Sequence, residues 1–132
     1  MLDRRHRLTT SAGFTTTTRR GRRAGTRLLV VHAFCPEPDS PMPEAAPRVG
    51  FVVGRSVGGA VVRNRVKRRL RHLVRDRLPS LPQATSIVVR ALPDAAHAGY
   101  ADLGRDLDTA LGRSLSPRPR ARRQPRQREE AR

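Results

Sequence analysis

A chain of 132 residues with 28 lysines and arginines against 11 acids, a formal charge of +17, is expected to form one domain with basic ends and a polyanionic partner. All of those cations except Lys67 are arginine, which stays ionised and grips phosphates bidentately. A lone cysteine, Cys35, excludes an internal disulfide and fits a reducing cytoplasm, and no secretory leader or apolar stretch of the roughly 20 residues needed to span a membrane is visible.

Residues 1–23 are polar and basic, with Leu8 and Phe14 as the sizeable apolar anchors behind the first two residues. Ser11 could cap a short helix over 12–18, whereas the β-branched run Thr15-Thr16-Thr17-Thr18 argues against one, so propensity leaves this segment open. Arg19-Arg20-Gly21-Arg22-Arg23 reads as a basic turn. The run from Arg27 to Phe34 is continuously apolar around His32 and predicts a strand buried on both faces. Residues 36–47 hold five prolines and read as a mobile, acidic loop that points away from an anionic partner.

Arg48 to Gly54 predicts the next strand, and a glycine-rich turn leads into a helix that stops by Pro79. On that helix Val62, Val66, Leu70 and Leu73 form one stripe. Asn64, Lys67, Arg68, Arg71 and Arg75 gather opposite, with Arg63 and Arg65 on the flanks. A solvated helix face normally mixes signs, but here Asp76 alone opposes nine cations between Arg55 and Arg77. The apolar stripe docks the helix on a core and the cationic band is left for phosphates. Ser86 to Leu92 predicts a further strand. Tyr100, Leu103, Leu107 and Leu111 give a last helical stripe, with Asp102, Asp106 and Asp108 as solvated surface around Arg105. From Ser116 onward Pro and Arg dominate, and residues 116–132 are expected to be a disordered basic tail.

No catalytic constellation is evident. His6, His32, His72 and His97 are scattered without ligand spacing, Cys35 reads as a small apolar residue at a strand end, and neither a phosphate-binding loop nor a nucleophile elbow occurs.

The strand Arg48–Gly54, the glycine turn and Ala60-Val61-Val62-Arg63-Asn64-Arg65-Val66-Lys67-Arg68 together resemble the bacterial ribonuclease P protein family. Arg7-Leu8 followed by Phe14, the arginine-glycine-arginine turn, and Ile87-Val88-Val89-Arg90-Ala91 before a helix opened by Tyr100 agree, so the resemblance spans about residues 1–115. It implies a small α+β domain, a two-layer sandwich shaped like the second domain of a small-subunit ribosomal protein. The implied order is α-β-β-β-α-β-α, with a short strand near 22–25 and a left-handed β-α-β crossover. It further implies a large catalytic RNA as partner, with precursor transfer RNA as substrate. The RNA would remove the 5′ leader with its own bound Mg2+, and the protein would hold no metal or other cofactor. By position, Arg63, Asn64, Arg65, Lys67, Arg68 and Arg71 would contact the catalytic RNA. Phe14, Arg19, Arg20, Arg22 and Arg23 would take the leader, by base stacking and phosphate contacts. The chain departs from the family pattern in three places. A Ser-Lys-Lys run is here Gly54-Arg55-Ser56, and two aromatic positions are occupied by Thr18 and Val31.

A cytoplasmic monomer without membrane contact is the expected form. A ribosomal or other structural RNA-binding protein is the second reading. A DNA-binding regulator, which would usually dimerise, is third, and a stand-alone nuclease comes last.

Overall fold

The computed structural model describes residues 2, 4–35 and 46–115. Apart from Ala46 and Pro47, the expected loop over 36–47 lies outside them, as does the expected tail over 116–132. Seven regular elements follow in the order α1 (Ser11–Arg20), β1 (Arg22–Gly25), β2 (Leu29–Phe34), β3 (Arg48–Val52), α2 (Ala60–Arg77), β4 (Ser86–Ala91) and α3 (Tyr100–Leu115). This is the α+β order that the resemblance implied, including the short β1. Single 3₁₀ turns sit at Arg4–His6, Leu78–Ser80 and Pro93–His97.

Helix α1 forms despite its threonines, because their hydroxyls work with the helix. Thr10, not Ser11, is the cap: its backbone is extended and its hydroxyl accepts from the Gly13 amide at 3.0 Å. Thr17 and Thr18 donate back to the Gly13 and Phe14 carbonyls at 2.8 and 3.0 Å. Strand β2 begins at Leu29 rather than Arg27. The Thr26 hydroxyl accepts from the Leu28 and Leu29 amides, both at 3.2 Å, and turns the chain into the strand. Helix α2 is entered through Gly58, whose φ of +154° is a conformation that L side chains rarely adopt.

The sheet order is β1-β2-β4-β3, with β3 and β4 parallel and the other pairs antiparallel. Alternation along the strands separates two faces. Leu29, Val31, Ala33, Ile87 and Val89 enter the main core with Val66, Leu70, Leu73 and Val74 of α2 and Leu103, Leu107, Ala110 and Leu111 of α3. The predicted α2 stripe is therefore the docked one, with Val74 added and Val62 half-buried at its start. Tyr100, expected on the α3 stripe, is 45% exposed because it is the first residue of the helix. The opposite face carries Val30, His32, Phe34, Val88 and Gly50, and α1 packs across it on β2 and β4. Helix cover on both sides explains why β2 is apolar throughout.

Two further contacts fix the frame. Arg77 on α2 clasps Asp108 on α3 through Nε and Nη2, Nη2 lying 3.0 Å from Oδ2, and this pairing holds the Asp108 carboxyl below its ordinary range. The N-terminal segment lies along the outer edge of β3: the Leu8 amide donates to the Val49 carbonyl at 3.1 Å, and the His6 ring reaches the Pro47 carbonyl at 2.9 Å.

Leu70 is fully buried at mid-stripe. Leu70→Ala is expected to cost about 2–5 kcal/mol of stability, read from urea denaturation. A cost well under that range would show the helix to be docked elsewhere.

Candidate nucleic-acid interface

Phe14 sits on the sheet because β3 makes room for it. A Cβ added at Gly50 would stand 2.7 Å from Phe14 Cε1, so only glycine lets the ring lie against the strand. The ring borders a cleft of about 340 Å3 whose other walls include Leu8, Val49, Phe51, Lys67 and Arg71. Helix α2 thus reaches past the β3 edge and brings two cations opposite an aromatic from the first helix.

Lys67 and Arg71 also line a second groove, of about 310 Å3, with Asn64, Arg68 and His72. Four of the six α2 residues assigned to the catalytic RNA, Asn64, Lys67, Arg68 and Arg71, therefore share one surface, and His72 joins them unforeseen. Arg63 and Arg65 do not line it. Arg65 is half-buried and its Nη2 donates to the Ala96 carbonyl at 3.2 Å, while Arg69 Nη1 donates to the Ala98 carbonyl at 3.2 Å. These two arginines tie α2 to the turn before α3. The Nε atoms of Arg63 and Arg65 are buried and lack hydrogen-bond partners among the described residues.

The residues that the resemblance assigns to the leader divide as well. Arg20 stacks over Phe34, its guanidinium carbon 5.1 Å from the ring centroid, a cation–π pair that sequence alone did not suggest. Arg19 is exposed beside it at the end of α1. Arg23 registers with His32 and so belongs to the α1 side of the sheet, whereas Arg22 registers with the core residue Ala33 and belongs to the other side. Val31, where the family pattern has an aromatic, is fully buried in the main core.

His32 and Arg90 were not singled out by sequence reasoning, since nothing in an apolar run reports which residues will face one another. His32 is nine-tenths buried on the α1 side. Burial, then the charges of Arg23 and Arg90, hold its imidazole below the ordinary pKa of 6.5. Among the described residues no cluster of three or more His, Cys, Asp or Glu side chains is placed to hold a metal ion, and no helix is long and apolar enough to cross a membrane.

An aromatic-walled cleft that runs into a cationic groove defines a single class, a small α+β RNA-binding domain. A sequence profile of the ribonuclease P family matches residues 2–114. The ribonuclease P protein component of Streptomyces bikiniensis is 57% identical over 118 residues, covering 87% of this chain and 96% of that one. Its counterpart in a Nocardioides species is 55% identical over 111 residues, covering 84% and 92%. The solved Staphylococcus aureus RNase P protein has the same fold, with a TM-score of 0.71 at 23% identity over 83% of this chain and 95% of that one. The chain belongs to the ribonuclease P protein family. That membership places it in transfer-RNA processing as part of a ribonuclease and removes the reading as a ribosomal or other structural RNA-binding protein.

Two expected outcomes test this geometry. Gly50→Ala should destabilise the domain by about 1–3 kcal/mol, because the methyl group displaces Phe14 or the strand; thermal or urea melts read this directly. His32 should make stability pH-dependent. The unfolded imidazole takes its proton near pH 6.5 while the folded one resists, so stability is complete above about pH 6.5 and falls as the pH drops below it. His32→Gln should flatten that part of the curve in urea midpoints compared at about pH 7.5 and 5.5.

Proposed function

We propose that this chain binds the catalytic RNA of ribonuclease P through the Asn64–His72 groove and the 5′ leader of precursor transfer RNA through the Phe14 cleft. The observation that carries this reading is that Lys67 and Arg71 line both. One helix then bridges two RNAs, so that the leader is held at a fixed place relative to the RNA that cuts it. The chemistry in this reading belongs to the RNA, which binds Mg2+ and cleaves the phosphodiester. The protein supplies cations where two polyanions meet, relieving repulsion that Mg2+ would otherwise have to screen. Phe14 supports the leader assignment because its ring is fixed against Gly50 and borders the open cleft, where a base can stack. Arg19, Arg20 and Arg23 continue a basic path from the end of α1 onto β1. Arg22, Arg63 and Arg65 have smaller parts: Arg22 belongs to the other side of the sheet, and Arg65 is engaged with Ala96. The protein acts as a monomer in the cytoplasm.

The test is cleavage of precursor transfer RNA with and without the catalytic RNA. The protein alone should cut nothing, yet restore cleavage by the RNA at low Mg2+. Cleavage by purified protein free of RNA would overturn the assignment. Arg68→Ala should weaken binding to the catalytic RNA and flatten the log–log salt slope by roughly 0.7 to 0.9. Arg65→Ala should change that slope less and the melting temperature more.

A further inference from the structure

Position 67 is where arginine gives way to the chain's one lysine. The difference is chemical as well as geometric. A guanidinium stays protonated at any physiological pH, whereas an ammonium group can release a proton and leave a nucleophilic amine. Lys67 is therefore the one side-chain amine that an acyl donor can modify. It is half-buried, and it lines both the Phe14 cleft and the groove formed with Asn64, Arg68, Arg71 and His72. No hydrogen bond or ion pair among the described residues engages its ammonium group. The group can be reached from two sides and is tied down on neither.

The groove also favours one kind of donor. Arg71 lies one helical turn beyond Lys67, with about 5–6 Å between the two Cβ atoms, and Arg68 borders the same space. No acid lines the groove or the cleft. A concave surface lined by a single sign of charge raises the local concentration of a small anion by about tenfold or more. Guanidinium groups hold a phosphate by paired hydrogen bonds, which brings whatever is bonded to that phosphate beside Lys67 Nζ.

We propose that Lys67 is an acylation site for a small acyl phosphate, whose phosphate docks on Arg68 and Arg71 and whose acyl group passes to Nζ. The neutral amine attacks the acyl carbon and a carbon–nitrogen bond forms. The carbon–oxygen bond to the phosphate breaks, the phosphate leaves with that electron pair, and the surplus proton on nitrogen passes to solvent. The product is a neutral amide, so the cation shared by cleft and groove is lost in one step. The regulatory consequence rests on the RNA reading above: catalytic RNA in the groove covers Lys67, so free protein is modified, the holoenzyme is spared, and acylation limits assembly.

The experiment treats the full chain with acetyl phosphate and follows acetylation of Lys67 by peptide mass spectrometry. The folded chain should react about tenfold faster than the same chain unfolded in urea. High salt, or Arg68→Ala combined with Arg71→Ala, should remove that advantage, and an uncharged acetylating ester should show none. A folded chain that reacts no faster than the unfolded one, or an equal advantage with the uncharged ester, would overturn the proposal and leave the RNA assignment standing. Catalytic RNA added before the donor should slow the reaction at least tenfold, and acetylated protein should bind that RNA about fivefold more weakly. Lys67→Arg, which offers no amine, should show no change in its own RNA affinity on the same treatment. Full RNA affinity after complete acetylation would overturn the regulation. An undiminished rate in the holoenzyme would overturn the RNA assignment of the groove together with the regulation.

Discussion

Repulsion among like charges along α2 is the constraint to which the rest of the domain answers. A helix with eight cations and one acid between Ala60 and Arg77 gains nothing from its own surface pairs. It is held by burial of Val66, Leu70, Leu73 and Val74, and by three arginines spent on the protein itself: Arg77 on Asp108, Arg65 on Ala96 and Arg69 on Ala98. Those contacts lie away from the groove. Of the remaining cations, Lys67, Arg68 and Arg71 are gathered along one groove on a docked helix, so their backbone positions are set before any partner arrives.

Strands β2, β3 and β4, the two long helices and the cationic band could be read from the sequence because each rests on a local pattern, whereas Arg22 and Arg23, read as part of a basic turn, open the short strand β1, which only pairing with β2 defines. Val66, Leu70 and Leu73 repeat at helical spacing, and the β2 and β4 runs are apolar on both faces. Other features could not be read, since they depend on chain segments meeting at a distance. The α1 helix was left open by its threonines, whose hydroxyl bonds favour it only once Thr10 caps it. The role of Gly50 appears only when Phe14 is seen resting on it. Among the α2 cations, periodicity placed Arg65 on a flank but could not say that the Ala96 carbonyl would be there to receive it. The separation of Arg22 from Arg23 follows from register with β2, which no pattern within four residues specifies.

The site is economical in its parts. One aromatic ring and two cations, drawn from α1 and α2, close a cleft against β3, and the same two cations open a second groove. The cleft and the groove are thereby joined through one helix and not through a loop. A substitution at Lys67 or Arg71 should therefore disturb contacts on both sides at once, whereas one at Arg68 touches a single side.

The strap of residues 7 and 8 along β3 has a consequence for the chain before it meets RNA. Unpaired strand edges are templates for self-association, and β3 is an outer strand of the sheet with aromatic and valine side chains. The Leu8–Val49 hydrogen bond and the His6–Pro47 contact occupy that edge with the chain's own backbone. The opposite edge, β1, is four residues long and carries two arginines. With one margin sealed by the chain's own backbone and the other short and charged, the sheet offers a neighbouring copy no long free edge on which to add a strand.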